Sequence, residues 1–372
     1  RQRQMCIRDR VGGPINYTGL TPGTVTDPMK GGVINPISIY PFPNFKAEQT
    51  KSYELGTNLR LFNNKINIDA TVYLTDTYNQ TFLSSMSPAS GYSGFYVQAG
   101  KVRNKGIELS LGYNDRFGKV GYATNLTYTA NRNKIMKMVH DYRNPADGSL
   151  FSITELTLQD KGGVYLREKD AIGDVYVKGI LARGKDGKLI EEEGGYKVDR
   201  SQRIKIGSVN PDFSIGWRHN VTWNNLTLDL LFNGRFGGIV TSSTQAFLDD
   251  YGVSKDTYKA RQNGGVWVNG TQYDAEKYYT TIGGEQLMAY YAYKATNIRL
   301  QEASLSYTLP GKWFGNVINR LTVSAIGRNL WMIYNKAPFD PEMTSSTGTY
   351  NRGDVFMPPS LRSVGFSVKI EL

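Results

Sequence analysis

The sequence predicts an all-β protein built as an antiparallel transmembrane β-barrel. Apolar and polar residues alternate with a period of two through long paired stretches, the period at which successive strand side chains take opposite faces. The links inside each pair are short and those between pairs are long. Charged residues make up only 21% of the 372 residues, while aromatics reach 12%, Gly numbers 40 and Tyr 25. No run approaches the ~18 uncharged apolar residues of a membrane-crossing helix. A mean hydropathy of −0.42 leaves a barrel open, because alternating strands average out in any window.

Tyr53, Leu55, Thr57, Leu59 and Leu61 alternate with Ser52, Glu54, Gly56, Asn58 and Arg60. After a tight turn at Asn63-Asn64, Ile66, Ile68, Ala70, Val72 and Leu74 alternate with Asn67, Asp69, Thr71, Tyr73 and Thr75. Two such runs make a hairpin. A second pair sets Ile107, Leu109, Leu111 and Tyr113 before a turn at NDRFG (114–118), and Val120, Tyr122, Leu126 and Tyr128 after it. The third carries Phe213, Ile215, Trp217, His219 and Val221, turns near Asn224-Asn225, and returns through Leu226, Leu228, Leu230 and Phe232. The fourth carries Ala303, Leu305, Tyr307 and Leu309, a link PGKWFGNVINR (310–320), then Leu321, Val323 and Ala325. The tail LRSVGFSVKIEL, Leu361 to Leu372, is a ninth strand with Val364, Phe366, Val368, Ile370 and Leu372 on one face. VINPISIY (33–40) is a candidate tenth, weakened by Pro36.

Between pairs the chain runs from about Thr77 to Gln98, Asn131 to Ile206, Thr241 to Tyr291 and Tyr334 to Ser360. Compact soluble domains rarely carry structureless connections beyond ~15 residues, whereas outer-membrane barrels combine short periplasmic turns with long external loops. With the short turns periplasmic, the strand after Ser360 descends and ends in the periplasm. Runs of about ten residues fit a tilted crossing of ~9–11, and Tyr and Phe at strand ends suit interfacial girdles. Nine strands are an odd number where single-chain bacterial barrels have even ones, so the chain reads as the C-terminal part of a larger barrel.

The single cysteine, Cys6, excludes an internal disulfide framework and a multi-cysteine metal site. It lies in RQRQMCIRDR (1–10), which has neither strand period nor signal-peptide core and reads as a non-native leader. That segment supplies +3 of the formal +11, leaving +8 without Lys/Arg blocks, a solvated basic surface and not a nucleic-acid footprint.

No catalytic constellation is visible. His140 and His219 are the only histidines, far apart in sequence and poorly suited to a zinc or Ser-His-Asp site. Asp340 and Glu342 flank Pro341 and invite a glycosidase reading, against which stands a structural role, pairing with Arg352. GKDGKLIEEEGG (184–195) is a turn and an acidic run whose spacing matches no regular calcium loop. Ligand contact is expected from Trp267, Tyr273, Tyr278, Tyr279, Tyr290, Tyr291 and Tyr293, whose flat rings can stack on sugar faces or grip peptide side chains. The opposing expectation is that these rings pack the loop against itself or a partner.

Several stretches resemble the C-terminal barrel of SusC/RagA-like TonB-dependent transporters. These are KAEQTKSYELGTNLRLFNNKINIDATVY (46–73), GKVRNKGIELSL (100–111), IGSVNPDFSIGWRHNVTWNNLTLDLLFNGRFGG (206–238), IRLQEASLSYTLP (298–310), GRNLW (327–331) and FDPE (339–342), in order. The resemblance implies a 22-stranded barrel with an N-terminal plug, of which this chain is a plug-less C-terminal part. It implies uptake of oligosaccharides or peptides with a SusD-like surface lipoprotein, energised by TonB through a region outside this sequence, without cofactor or metal. The division expected is a leader at 1–10, a loop and candidate first strand at 11–45, and barrel from 46 to 372. Glu54, Arg60, Asp69, Glu108, Arg218 and Asp229 then face the lumen or plug. Ser363, Gly365, Val368 and Ile370 fit the polar-x-Gly-x-x-apolar-x-apolar signal of the barrel-assembly machinery, although Leu372 stands where the family usually ends in an aromatic. The alternative class is a secreted β-rich adhesin or carbohydrate-binding protein whose apolar faces form a soluble core.

Overall fold

A computed structural model describes residues 39–40, 46–85, 94–143, 148, 150–158, 164–314, 317–344 and 353–371. Nine long strands of one sheet dominate them: β1 (Gln49–Leu61), β2 (Ile66–Ser85), β3 (Gly94–Phe117), β4 (Val120–Lys137), β5 (Phe213–Trp223), β6 (Leu226–Phe236), β7 (Asn297–Pro310), β8 (Arg320–Asn335) and β9 (Ser363–Glu371). Each pairs with its chain neighbour, giving an antiparallel meander in sequence order. The four predicted pairs and the closing strand are all present.

Several boundaries differ from the sequence reading. The second turn is not NDRFG: β3 continues to Phe117, and only Gly118 and Lys119 reverse the chain, with Gly118 at φ +60°. The first turn is four residues, Phe62 to Lys65, with Phe62, Asn63 and Asn64 all left-handed. β2 and β3 reach Ser85 and Gly94, well inside the connection expected from Thr77 to Gln98. In these extensions both faces carry polar residues, so the strand period has no hydropathy contrast to reveal it. Of the candidate tenth strand, 33–38 lie outside the described residues. Ile39 and Tyr40 pair in parallel with Gly94 and Phe95, unlike an antiparallel barrel strand.

The chain divides into two compact units, one of Arg1–Leu55, Tyr73–Gly106 and Arg132–Asp174, the other of Gly56–Val72, Ile107–Asn131 and Val175–Leu372. The second unit contains all the short turns. Backbone bonds stitch each turn to the adjoining strand or turn: Asn114 N to Lys65 O at 2.8 Å, Thr308 N to Asn225 O at 2.8 Å, Asn319 N to Glu371 O at 2.7 Å. The Lys65–Asp115 pair at 2.8 Å adds to the first of these.

The long connections are not structureless. Between β6 and β7 lie α1 (Ser243–Asp250), α2 (Lys255–Gln262) and α3 (Ala275–Gly284). Each is capped by a side-chain oxygen, of Ser242, Ser254 or Asp274, that accepts from a backbone N–H of the first turn at 2.8–3.0 Å. The 184–195 segment forms a small hairpin in which Arg183 bridges Leu189 and Glu191–Glu192 pairs with Gly195–Tyr196.

Register fixes the two faces of the second unit's sheet. Tyr122 lies opposite Val221, Val221 opposite Leu228, Leu228 opposite Leu305, Leu305 opposite Ala325 and Ala325 opposite Phe366. One face is therefore a largely apolar band. His219 and Thr124 interrupt it, and both are satisfied internally. The His219 ring nitrogen Nδ1 and the Tyr122 hydroxyl are 2.9 Å apart, while Trp217 Nε1 donates to Thr124 Oγ1 at 3.0 Å. Tyr128, Phe213 and Phe236 stack at one edge of the band, with Phe213 4.6 Å from Phe236 and 5.4 Å from Tyr128. Trp223 and Tyr307 stand at the other. The ten residue steps of β5 between these edges span ~24 Å along the normal at a ~45° tilt, about the height of an outer-membrane apolar band.

That band is uncovered. Trp217, Trp223, Leu305, Val364 and Phe366 are all about half exposed or more, with Phe366 at 82%. The buried clusters of the same unit belong instead to its connections, around Leu181, Ala246, Ile282, Leu287 and Tyr291. Each large apolar side chain left in water forgoes ~1.5–3 kcal/mol. The four on β9 alone would forgo an amount comparable with the whole stability of a domain. Such a face belongs against lipid.

Candidate functional site

The opposite face is polar and carries the six charged residues expected at the lumen. Arg218 and Asp229 form an ion pair at 3.3 Å, and Asp69 accepts from Asn58 Nδ2 at 2.9 Å. Glu54 and Arg60 share the parity of Asn58 on β1, and Glu108 that of Ser110 on β3. Ser110 accepts from Asn125 at 3.0 Å, and Asn125 lies opposite Arg218. The ladder continues through Ser306–Ser324 at 2.8 Å, Thr308–Thr322 at 3.1 Å and Arg328–Glu302 at 2.9 Å. Exposed ion pairs such as these contribute little stability and mainly set surface charge.

The seven aromatics of the β6–β7 connection divide. Tyr273, Tyr278 and Tyr291 are buried in its core, and Tyr279, Tyr290 and Tyr293 pack against them. Tyr273 and Tyr290 hydroxyls accept from the backbone N–H of Leu189 and Leu181, both at 3.0 Å. Tyr278 sits edge-on to both Tyr279 and Tyr290. Burial pushes the Tyr278 and Tyr279 hydroxyls up to about 12, so they remain neutral donors at any physiological pH. Trp267, on a short hairpin of Val266–Val268 and Thr271–Tyr273, is 62% exposed. It is the ring of this set most open to a ligand. A cavity of about 270 Å³ opens among the three helices, lined by Asp249, Arg261, Glu276 and Tyr279. The Asp249 carboxyl there is raised above its ordinary value by burial.

A site missed in the sequence reading joins the start of β7 to the β8–β9 connection. Arg299 donates to Asp340 through Nη2 at 2.9 Å and Nη1 at 3.4 Å, lies 3.4 Å from Glu342, and also donates to Asn297 Oδ1. Ser360 Oγ donates to Asp340 at 2.5 Å, and Glu342 N to Asp340 Oδ1 at 3.0 Å. The Arg299 and Asp340 side chains are only 6% and 7% exposed. Arg352, the expected partner, lies outside the described residues, and Arg299 holds both carboxylates. A cleft of about 320 Å³ adjoins the network, lined by Trp331, Asn329 and Arg362.

Burial raises the Asp340 carboxyl, but the bonds from Arg299, Ser360 and the Glu342 N–H outweigh it and hold the group below its ordinary 3.8. A depressed folded pKa means that the stabilisation is present above the unfolded value and drains as pH falls through the folded one. In the full receptor, protease protection of the 336–362 connection is expected to weaken below about pH 4. Asp340→Asn is expected to flatten that dependence relative to wild type, as read by limited proteolysis with an acid-active protease.

His140 and His219 are not brought together. His140 Nε2 pairs with Glu168 at 2.5 Å, whereas His219 sits in the aromatic band. Among the described residues no group of three His, Cys, Asp or Glu has the spacing to hold a metal ion.

An antiparallel meander with one uncovered apolar face, one polar face, short turns at one end and structured loops between pairs defines a portion of an outer-membrane-type β-barrel. Residues 13–168 match the family model described as TonB dependent receptor-like, beta-barrel. TonB-dependent receptor P3 of Formosa agariphila is 24% identical over 340 residues, covering 86% of this chain and 33% of that protein. TonB-dependent receptor P39 of the same organism is 21% identical over 357 residues, covering 84% and 34%. Among solved structures, the RagAB peptide transporter superposes with a TM-score of 0.66 at 18% identity, over 90% of this chain and 36% of that one. The RagAB peptide importer in its 'open-open' state gives 0.65 at 18% identity over 90% and 36%. These likenesses support a SusC/RagA-like TonB-dependent receptor barrel portion, and the chain spans about a third of the length of these relatives.

Proposed function

We propose that this chain forms part of the wall and external loops of an outer-membrane transporter. It takes up large nutrients, oligosaccharides or peptides, with a SusD-like lipoprotein, and is driven by TonB through parts of the receptor outside this chain. The carrying observation is the uncovered apolar band backed by a polar face, with the buried cores confined to the connections. Glu54, Arg60, Asp69, Glu108, Arg218 and Asp229 then line the lumen, hydrated or touching a plug, and residues 46–372 form barrel. Trp267 and the rings behind it contribute to ligand contact, as an exposed aromatic on a rigid tyrosine core suits stacking. The peptide cargo named for RagAB supports peptides as one substrate class. Ser363, Gly365, Val368 and Ile370 serve as the assembly signal. All residues of β9 except Glu371 are exposed, and an added Cβ at Gly365 meets nothing within 4 Å.

The test is the complete receptor expressed in its outer membrane. A heat-dependent shift on SDS gels and TonB-dependent accumulation of a fluorescent oligosaccharide or peptide library are expected. A soluble product with no heat shift overturns the reading in favour of a secreted β-rich protein. Within a functional receptor, Trp267→Ala is expected to raise the half-saturating ligand concentration about tenfold, the order of one lost stacking contact.

A further inference from the structure

The first compact unit carries a charged cluster that neither the lumen nor the loop core uses. On one face of its strands, Thr50 and Ser52 meet Thr77 and Thr75 across β1 and β2 at 3.3 and 3.0 Å. On the other, Lys51 and Lys101 place their Nζ atoms 5.7 and 5.2 Å from the centroid of the Tyr78 ring. Lys101 also meets Asp76 at 2.7 Å, and Arg103 grips the same carboxylate with Nε at 2.7 Å and Nη2 at 2.8 Å. Strand alternation puts Lys105 on this face after Arg103, and Tyr53, Leu55 and Leu74 beside the cluster. Tyr53 and Leu55 are 67% and 75% exposed.

This face thus carries four cations and one carboxylate. Asp76 is saturated by Lys101 and Arg103. Among the described residues, Lys51 meets only the Tyr78 ring and exposed Lys105 has no acidic partner. An ion-pair cluster holding β2 to β3 requires only Lys101 and Arg103. The surplus charge stands where the same face turns from apolar to basic within two residues. That sequence of surfaces matches a membrane boundary, with hydrocarbon against Leu55 and Leu74, the Tyr53 and Tyr78 rings at the interface, and anionic phosphate against the lysines.

We infer that the Lys51–Lys101–Arg103–Lys105 face is a docking site for the anionic phosphate headgroups of membrane lipid. The inference rests on the membrane-spanning reading above. For the test, the complete receptor is purified in neutral detergent after its heat-dependent gel shift has been verified. It is then titrated with phosphatidylglycerol, phosphatidylcholine and inorganic phosphate, and retained lipid is counted by native mass spectrometry. Wild type is expected to retain phosphatidylglycerol about tenfold better than phosphatidylcholine at low salt. The Lys51→Gln/Lys105→Gln variant is expected to lose most of that preference while keeping its gel shift, and Arg60→Gln on the polar face to leave it unchanged. A double variant with undiminished preference, a wild type with none, or full displacement of phosphatidylglycerol by inorganic phosphate overturns the site. A receptor without a gel shift overturns the membrane reading together with it.

Discussion

Leu305→Arg in the complete receptor is expected to destabilise the folded barrel by ~1–2 kcal/mol, between the costs of a basic side chain at the midplane and at the interface of a lipid-facing strand. Ser306→Arg, one residue further along the same strand, is expected to stay within ~0.5 kcal/mol. Leu305 lies between Leu228 and Ala325 on the apolar band, whereas Ser306 bonds Ser324 on the polar face. Strand position and neighbouring backbone are nearly the same for the two sites, so the contrast isolates the face. The readout is the denaturant midpoint of the heat-modifiable species in lipid vesicles. If the two substitutions cost the same, or if Leu305→Arg improved solubility without loss of fold, the apolar band would not face lipid.

Arg299→Met is expected to cost ~3–5 kcal/mol, because it leaves the Asp340 charge buried without its partner. The loss falls on a local element. Arg299 begins β7, while Asp340, Glu342 and Ser360 lie in the connection to β9, so this connection should become susceptible to protease before the strands lose their pairing. Combining Arg299→Met with Asp340→Leu is expected to restore much of the protection, since both buried charges are then gone. Limited proteolysis of the folded receptor measures both. A network that served catalysis and not anchoring would lose turnover on Asp340→Asn or Glu342→Gln with protease resistance intact, the opposite pattern.

Most strands were legible because their information is local. Alternation over Ile215 to Val221, or over Val364 to Ile370, needs only the geometry of an extended chain and a difference in polarity between its two faces. The errors follow from the same cause. Where β3 runs on through Asn114, Asp115 and Arg116, both parities are polar and the sequence imitates a turn. Where β2 and β3 extend through Asn79 and Gln98, polar side chains satisfied by neighbouring segments look like loop residues. The helices between β6 and β7 were missed because each is eight to ten residues long. Too short to show a sustained 3.6-residue period, they are held by caps and by packing on the tyrosine core.

The sequence by itself determined which residues share a strand face, that the links alternate between short and long, and that six charged residues stand opposite an apolar band. Alternation, turn chemistry and connection length are properties of neighbours along the chain. Only the tertiary structure decided that the apolar band is left uncovered. It also decided which tyrosines become loop core while Trp267 stays exposed, and that Arg299 takes the carboxylates of Asp340 and Glu342. Those outcomes depend on which distant segments meet, such as Arg299 and Asp340, 41 residues apart. Contact between remote segments is set by register and loop closure across the sheet, for which no local period exists to be read.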